Sequence, residues 1–456
     1  MSTWIEEEFN QINFGDTRID KRFKTIAQHL ADKPAGSIHS ASPDWAATKA
    51  AYRFFDNEDV SSNEISSTHI EATALRCQKF KKIVVAQDTT YIDFNSHKKT
   101  KNLGKSFKSH GETVRGICMH AGLAMTEKGL PLGLLYNKLW IRKENHISQP
   151  DRNGVPIQLK ESHRWIECLK NCKKYLNEEQ SVVVVADREG DFYEIFESAY
   201  KCEVDVIVRS SHNRMIEDEY RLDDFVGLLP VKGLHTIVIP SNGSRLKKTA
   251  KLEIRFDKVE LLARPNVQKT QQNKHRQDIE LFVVDATDGE LHWRLLTTLP
   301  VNTLSDAIEI LNFYKMRWNV ETYFKTLKTG CTVEKCRLED GGKLIKYIAL
   351  MSVIGWRLFW MTYISREEPN ISCEVALTSS EWKAGWLMLH KDKIKNKKMQ
   401  LNDMPTTPPT MQEAVRLIAM CGGFLGRKGD GVPGIITFWR GWLRVLNGVE
   451  IYELLT

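Results

Sequence analysis

The chain has 456 residues, of which 42% are hydrophobic and 27% are charged, a balance typical of a globular protein with more than one domain. Its 65 basic and 58 acidic residues leave a net charge of +7, which permits a nucleic-acid partner but does not require one. The nine cysteines form no CxxC pair and are odd in number. This argues against a structural zinc site or a disulfide framework and favours reduced thiols in a cytoplasmic protein.

Residues 1–70 predict a small helical domain. The chain begins with an acidic segment that lacks an apolar stretch, so we expect no signal peptide. Asp16 is expected to cap one helix with a basic outer face, and Ser42-Pro43 is expected to open another. Two interpretations remain open at this point, a DNA-contacting module or an ordinary helical bundle with solvated cations.

Residues 81–210 predict an α/β unit with elements in the order β-β-β-α-β-α-β and therefore a mixed sheet. Asp88 ends the first strand, and Asp187 ends the fourth, SVVVVADREGD, whose continuous apolar run is typical of a buried central strand. The other predicted elements are the strands GICMHAGLAMT, LPLGLLYNKLWIR and CEVDVIVRS and helices over 157–177 and 191–201.

Residues 211–302 alternate apolar and polar positions and predict a β-rich insertion of antiparallel strands. The apolar segment 344–364 is predicted to be a buried core helix. Lys346 and Arg357 interrupt it, and an arginine deep in a bilayer costs roughly 2.5–3.5 kcal/mol on insertion scales.

These elements divide the chain into three expected domains. They are a helical domain over 1–70, an α/β core over 71–365 that contains the insertion 211–302, and a C-terminal helical domain over 366–456. A solvated linker, KDKIKNKKMQ followed by the Pro-rich NDMPTTPPT, is expected inside the last domain.

The segment YKMRWNVETYFKTLK is predicted to lie on one α-helix that begins after Thr303 or Ser305. At about 100° per residue, one narrow stripe holds Tyr314, Arg317, Glu321, Lys325 and Lys328. An acid among cations and a phenol is typical of a metal ligand beside phosphate-binding groups. The alternative is a solvated charged face, because Glu321 and Lys325 form a common i,i+4 pair.

Three carboxylates are predicted to meet at one edge of the sheet. If the strands that end in Asp88 and Asp187 are neighbours, both side chains lie at the same edge, and Glu321 on a packed helix completes the set. Hard oxygen ligands of this kind suit Mg²⁺ or Mn²⁺. Either aspartate alone could instead be a turn or cap residue.

The chain resembles the DDE transposases of bacterial insertion sequences, in the Tn-five-type subgroup with the signature Y-x2-R-x3-E-x6-K. The signature is met by Tyr314, Arg317, Glu321 and Lys328. Further shared motifs are GDTR (15–18), AAYRF (50–54), QDTT (87–90), DREGD (187–191), VRSSH (208–212), W-x2-LLT (293–297), KTG (328–330), GGF (422–424) and FWRGW (438–442). The resemblance runs nearly end to end and implies a ribonuclease-H-like catalytic core with a β-rich insertion, flanked by helical domains.

The resemblance also implies site residues. The metal-binding catalytic residues would be Asp88, Asp187 and Glu321, holding two Mg²⁺ ions, which Mn²⁺ can replace. The residues that hold phosphates near a flipped base would be Tyr314, Arg317, Lys325 and Lys328. The aromatic on which that base stacks would be Trp293, although its residue type alone favours a core position in its strand. The remaining DNA contacts would be Arg209 near the active site and Arg18, Arg22 and Arg53 in the domain that binds the element's ends.

The reaction implied is cut-and-paste transposition through a hairpin intermediate. The implied partners are double-stranded DNA, as terminal inverted repeats and as target, and a second copy of the chain in the synaptic complex, through the helices of about 411–456. No membrane partner is expected, and the expected location is the bacterial cytoplasm at the nucleoid.

The chain departs from the relatives at a few positions. The second acidic motif has Gly190 where the Tn-five-type relative has alanine, the region 385–410 matches poorly, and Ile19 and Asp32 stand where that relative has basic residues. These changes bear on which terminal DNA sequence is bound and not on the chemistry. Two other classes of function stay open, a DNA-binding regulator without catalysis and a tyrosine recombinase with Tyr314 as nucleophile.

Overall fold

The structure, a computed structural model, describes residues 3–109, 112–142, 155–217, 220–239, 248–263 and 277–455. The linker segment 264–276, QKTQQNKHRQ with its neighbours, lies outside the described residues.

The N-terminal part of the chain is helical, as predicted. Its helices are α1 (Thr3–Glu8), α2 (Thr17–Asp32), α3 (Ile38–Ala41), α4 (Trp45–Asp56) and α5 (Ser62–Cys77). Asp16 caps α2 by accepting the backbone N–H of Arg18 at 2.8 Å, which confirms the predicted start. The start predicted at Ser42-Pro43 is wrong by two residues, because the carboxylate of Asp44 caps α4 instead. The domain boundary expected at residue 70 falls inside α5.

A single large mixed sheet forms the centre of the molecule. Its first six strands are β1 (Lys82–Asp93), β2 (Lys105–Ser109), β3 (Glu112–Thr126), β4 (Pro131–Trp140), β5 (Ser181–Ala186) and β6 (Asp205–Arg209). The helices between these strands are α6 (His163–Tyr175) and α7 (Tyr193–Cys202). β1 pairs antiparallel with β3 and parallel with β5, and β5 pairs parallel with β6. This is the ribonuclease-H-like arrangement, so the predicted fold class is confirmed.

The predicted insertion extends the same sheet. It contains α8 (Leu222–Leu228), β7 (Gly233–Ile239), β8 (Lys248–Leu261), β9 (Ile279–Thr287) and β10 (His292–Thr297). The strands β7 to β10 are antiparallel neighbours, as expected. β10 pairs with β6, with Leu295 opposite Arg209, and so joins the insertion to the α/β part of the sheet. The short helix α8 and the strand β2 are not among the predicted elements.

The segment predicted as one helix is broken into three parts. They are α9 (Leu304–Met316), α10 (Trp318–Lys325) and a π-helical turn over Thr326–Gly330. The prediction of one continuous α-helix is therefore wrong. Arg317 nevertheless keeps helical backbone angles, and its side chain bonds to Glu321 one turn later, as on a continuous helix. Thr303 caps α9, so the first of the two predicted helix starts is confirmed.

The remaining helices pack the C-terminal part of the chain onto the core. They are α11 (Gly341–Glu367), α12 (Ser379–Lys395), α13 (Met411–Cys421) and α14 (Ile435–Leu455). Within the described ranges, α11 alone is long and apolar enough to cross a membrane, but 78% of its most apolar window is buried inside the protein. α11 is thus a core helix, as predicted. The linker between α12 and α13 is shorter than predicted, because α12 continues through KDKIK to Lys395.

Candidate active site

The two aspartates follow the parallel-paired part of two neighbouring strands. Asp187 directly follows β5, but Asp88 lies inside β1, so the prediction that Asp88 ends its strand is wrong, because β1 continues to Asp93 by pairing with β3. The parallel pairing of β1 with β5 ends at Ala86 and Val185, two residues before each aspartate, which places Asp88 and Asp187 near each other.

The carboxylates interact strongly enough to shift a pKa. Burial raises the pKa of Asp88 to about 7, and the charges of Asp187 and Glu321 add to the rise. Arg317 and the backbone N–H of Thr89 oppose it without reversing it. Asp187 and Glu321 therefore lie close enough to Asp88 for their charges to act on it, although burial is the larger cause of the rise.

Arg317 lies between two of the three acids. Its Nη1 donates to Asp88 Oδ2 at 3.2 Å and its Nη2 donates to Glu321 Oε1 at 2.6 Å. The side chain is only 8% exposed, and its guanidinium lies 5.1 Å from the centroid of the Trp318 ring. The buried Nε has no hydrogen-bond partner in the described part of the protein. Arg317 therefore partly neutralises Asp88 and Glu321, and its Nε–H remains able to donate a further hydrogen bond.

A cleft of about 330 Å³ opens beside this pair. Its lining includes Asp88, Glu321, Phe324, Lys325 and Lys328. Lys325 is exposed at the end of α10, whereas Lys328 is partly buried in the π-helical turn, where burial lowers its pKa. Two cations and two acids at the cleft can bind a phosphodiester beside a cation held by carboxylates.

Two of the predicted DNA contacts are buried against each other. Trp293 is 8% exposed and Tyr314 is 2% exposed, and their rings meet edge to face at 5.4 Å. Burial raises the pKa of Tyr314, and nearby Arg317 and Arg209 oppose the rise. Arg209 also donates to the carbonyl of His292 at 2.8 Å. This cluster adjoins the active-site arginine but does not line the cleft in this conformation.

The three predicted N-terminal contacts, Arg18, Arg22 and Arg53, are exposed on α2 and α4. Arg18 pairs with Asp16 at 2.7 Å. Among the described residues, no hydrogen bond or ion pair joins these arginines to Asp88, Asp187 or Glu321.

The donor set of the site suits a divalent metal. Asp88, Asp187 and Glu321 supply only hard oxygen ligands, and Asp88 and Glu321 share one arginine. No group of three ligating side chains among the described residues converges tightly enough to form a finished metal cage. The residues fit the ion by chemistry, and binding it requires the Arg317 contacts to rearrange.

Sequence reasoning missed some side chains at this edge. Trp318 is 54% exposed beside Arg317, although its position inside the signature stretch could have marked it. Arg164 of α6 forms an ion pair at 2.9 Å with Glu189, which follows Asp187 by two residues. No sequence pattern indicates that pair, because its partners come from different elements.

Known protein families match most of the chain in three consecutive parts. The "Transposase DNA-binding" family matches residues 1–60, the "Transposase DDE domain" family matches 158–353, and the "Transposase Tn5 dimerisation domain" family matches 353–452. The second match contains Asp187 and Glu321, whereas Asp88 lies before it.

Among solved structures, the cryo-EM structure of the piggyBac transposase synaptic complex with hairpin DNA is similar to this chain. It is 11% identical in sequence, with a TM-score of 0.39, over 80% of this chain and 72% of that chain. A likeness this distant carries no inference about the site.

Proposed function

We propose that this chain, which belongs to the DDE transposases, moves a DNA element by cut-and-paste transposition through a hairpin intermediate. Family membership makes it a DNA transposase, an enzyme that cuts and joins DNA strands with a divalent metal. The observation that carries the finer proposal is the surplus of negative charge shared by Asp88, Asp187 and Glu321 at one sheet edge, beside a cationic cleft.

The three carboxylates are proposed to be the catalytic metal ligands, for two Mg²⁺ ions or for Mn²⁺ in their place. When bound, such a pair of ions activates a water or a 3′-hydroxyl and stabilises the leaving oxygen. Asp88 sits inside β1 and Asp187 directly after β5, and Glu321 sits on the separate helix α10. This arrangement lets the helix adjust the third ligand while the first two keep their positions.

The proposed reaction has four phosphoryl transfers. Water attacks the phosphorus at the element's end, the P–O3′ bond breaks, and a free 3′-OH remains on the element. That 3′-OH attacks the opposite strand, which closes a hairpin and releases the flanking DNA. Water then reopens the hairpin, and the same 3′-OH attacks a target phosphodiester and displaces its 3′-oxygen. Each step exchanges one P–O bond for another, so no protein nucleophile is needed.

The cations of the cleft are proposed to hold the DNA backbone during these steps. Lys325 and Lys328 line the cleft, and Arg317 becomes free to bind a phosphate once it leaves the carboxylates. Tyr314 and Trp293 are proposed to receive a flipped base. Because their rings cover each other, we expect the pair to separate when DNA binds.

The assembly follows from the proposed domains. Residues 1–70, with Arg18, Arg22 and Arg53, are proposed to bind terminal inverted repeats, and 366–456 to join two copies in a synaptic complex. Arg209, within the core 71–365, is proposed to contact DNA near the active site. A DNA-binding transposase acts inside the cell, and we place it at the nucleoid of a bacterial cytoplasm.

A tyrosine recombinase mechanism is disfavoured by the position of Tyr314. Its side chain is 2% exposed, and burial raises its pKa, so the phenol is a poor nucleophile at neutral pH.

Cleavage of an end-bearing duplex tests the proposal. Purified protein with Mg²⁺ is incubated with labelled DNA that carries the cognate element end, and products are separated on a denaturing gel. We expect a nick, a hairpin and then a blunt end, all abolished by EDTA and by Asp88→Ala. A protein that shifts the DNA but never cuts it would be a regulator, and cleavage that survives EDTA would exclude the metal mechanism.

A further inference from the structure

The face of β1 opposite Asp88 carries a second polar cluster. Because side chains alternate along a strand, Gln87 and Thr89 point away from the side that Asp88 occupies. Thr89 Oγ1 accepts from Arg164 Nε at 2.9 Å and lies 2.8 Å from His120 Nδ1. None of the proposed catalytic roles uses this cluster.

Arg164 comes from α6 and binds three partners in three directions. Its Nε donates to Thr89, its Nη1 donates to the carbonyl of Glu161 at 2.9 Å, and its Nη2 donates to Glu189 Oε2 at 2.9 Å. The side chain of Arg164 is only 8% exposed. A planar guanidinium held at three points has a fixed orientation, which a lysine could not reproduce.

Two of these partners lie close to the aspartates in the chain. Thr89 follows Asp88 in β1, and Glu189 lies in the turn after β5, two residues after Asp187. The backbone pairing of β1 with β5 stops at Ala86 and Val185, and Asp88 and Asp187 each stand two residues beyond it. The ladder therefore does not set the separation of the two carboxylates. Arg164 joins the residue after Asp88 to the residue two positions after Asp187.

The turn after β5 keeps its shape by other bonds. Asp187 Oδ1 accepts the backbone N–H of Glu189 at 2.9 Å, and Asp191 accepts the N–H and the hydroxyl of Ser211 at 2.6 and 3.2 Å. The Glu189 carboxylate contributes no bond to this framework. Its bond to Arg164 thus connects the turn after β5 to β1 and does not hold the turn itself together.

We propose that Arg164 and Glu189 are positioning residues that hold Asp88 and Asp187 at the separation that divalent-metal binding requires. The inference rests on the proposed function, since it assumes that these aspartates are metal ligands. Groups that orient metal ligands typically change metal affinity by 10- to 100-fold when they are removed, about the size expected here.

The test compares two ion pairs anchored on α6. Glu189→Gln removes the ion pair between Arg164 and Glu189. Glu203→Gln removes the pair between Lys173 and Glu203, at 2.5 Å near the other end of the helix, whose acid is likewise exposed. Arg164→Lys keeps the charge but not the three-way geometry. Calorimetry measures Mn²⁺ binding without DNA, thermal melting in EDTA measures stability, and a gel measures cleavage at increasing Mn²⁺.

We expect Glu189→Gln and Arg164→Lys to bind Mn²⁺ about tenfold more weakly than wild type and to need correspondingly more Mn²⁺ for half-maximal cleavage. Glu189→Gln should melt like wild type in EDTA, and Glu203→Gln should match wild type in all three measurements. Unchanged Mn²⁺ affinity in Glu189→Gln, with wild-type cleavage intact, would overturn the positioning role alone. A wild-type protein that neither binds Mn²⁺ nor cuts DNA would overturn the proposed function and this inference with it.

Discussion

Two buried carboxylates in this protein each contact an arginine, and their pKa values move in opposite directions. Glu8 in α1 is 5% exposed, and burial alone would raise its pKa, but His69 and Arg76 lower it to about 2. The pKa of Asp88 rises to about 7. Burial and an arginine partner are common to both sites, so neither explains the difference.

The number of partners explains the difference. Glu8 is a single acid that receives Arg76 at 2.8 and 3.1 Å and His69 Nδ1 at 2.5 Å. The backbone N–H of Leu134 donates to His69 Nε2 at 3.0 Å, so His69 is neutral and donates through Nδ1, in line with its lowered pKa. The ionised Glu8 is thus fully paired by Arg76 and a neutral donor.

The site of Asp88, Asp187 and Glu321 has the opposite arrangement, with more acids than cations. Asp88 shares one arginine with Glu321 and is also repelled by Asp187. Its negative charge is neutralised either by a proton or by an additional cation. The comparison teaches that a complete set of partners marks a carboxylate with a structural role, and an incomplete set marks one that is available to a metal ion.

Replacing Asp88 is expected to give the largest effect. Asp88→Asn removes a metal ligand and should lower the cleavage rate at least about 1,000-fold, since no other group replaces the ligand. The same change relieves repulsion among the acids, so the melting temperature in EDTA at pH 7.5 should not fall. A gel assay and a thermal melt check both outcomes. A variant that melts well below wild type would mean that Asp88 has a structural role, contrary to the comparison.

Replacing Glu8 should produce the opposite pattern. Glu8→Gln leaves Arg76 without its ionised partner and should destabilise the protein by about 3 kcal/mol, the low end for a broken buried pair, since Arg76 is 28% exposed. Denaturant unfolding measures the loss. Glu6→Gln in the same helix is the control, because the exposed pair of Glu6 with Lys24 should be worth less than about 1 kcal/mol. Equal effects of the two variants would contradict the structural assignment of Glu8.

Much of this site could be predicted from the sequence, because it depends on local strand geometry. The apolar runs before Asp88 and Asp187 predict two buried strands. That the two strands are neighbours is only a condition at the level of the sequence, and the pairing of β1 with β5 meets it. The break in the catalytic helix could not be predicted. A Cβ at Gly330, the last residue of the π-helical turn, would lie 0.9 Å from the Trp439 side chain of α14, so a contact with the C-terminal helices accompanies the turn.

The Arg164–Glu189 ion pair and the network around Glu8 could not be predicted either, because their partners come from separate elements. Arg164 meets Glu189, and Glu8 meets His69 and Arg76, only after separate elements pack. Helical periodicity shows which face of a helix is buried, but it does not show which charged groups meet there.

Replacing Arg317 is expected to have a smaller effect, and it tests whether this arginine competes with a metal ion for Asp88 and Glu321. Arg317→Gln removes a cation that competes with a metal for Asp88 and Glu321, so Mn²⁺ should bind about three- to tenfold more tightly, within the net range of one ordinary hydrogen bond. Calorimetry at pH 8.5, where the carboxyl groups are ionised, measures the gain. Cleavage should nevertheless fall, because the proposed phosphate contact is lost. Lys325→Gln is the control, since exposed Lys325 contacts neither carboxylate, and weaker Mn²⁺ binding in Arg317→Gln would show that the arginine supports the metal site.

The smallest effect is a difference in pH dependence between the two carboxylates. The pKa of Asp88 is raised from 3.8 to about 7 by folding, so its protonated form favours the folded state, and that contribution is lost as pH rises from about 4 to 7. The pKa of Glu8 is lowered from 4.5 to about 2, so its contribution is lost as pH falls through that lower window. Melting in EDTA should therefore show Asp88→Asn gaining a few degrees over wild type at pH 7.5 and little at pH 5. Glu8→Gln should lose nearly the same amount at both pH values, because its window lies below them. A gain for Asp88→Asn that is independent of pH would mean that lost packing or polarity, and not surplus charge, distinguishes the catalytic edge.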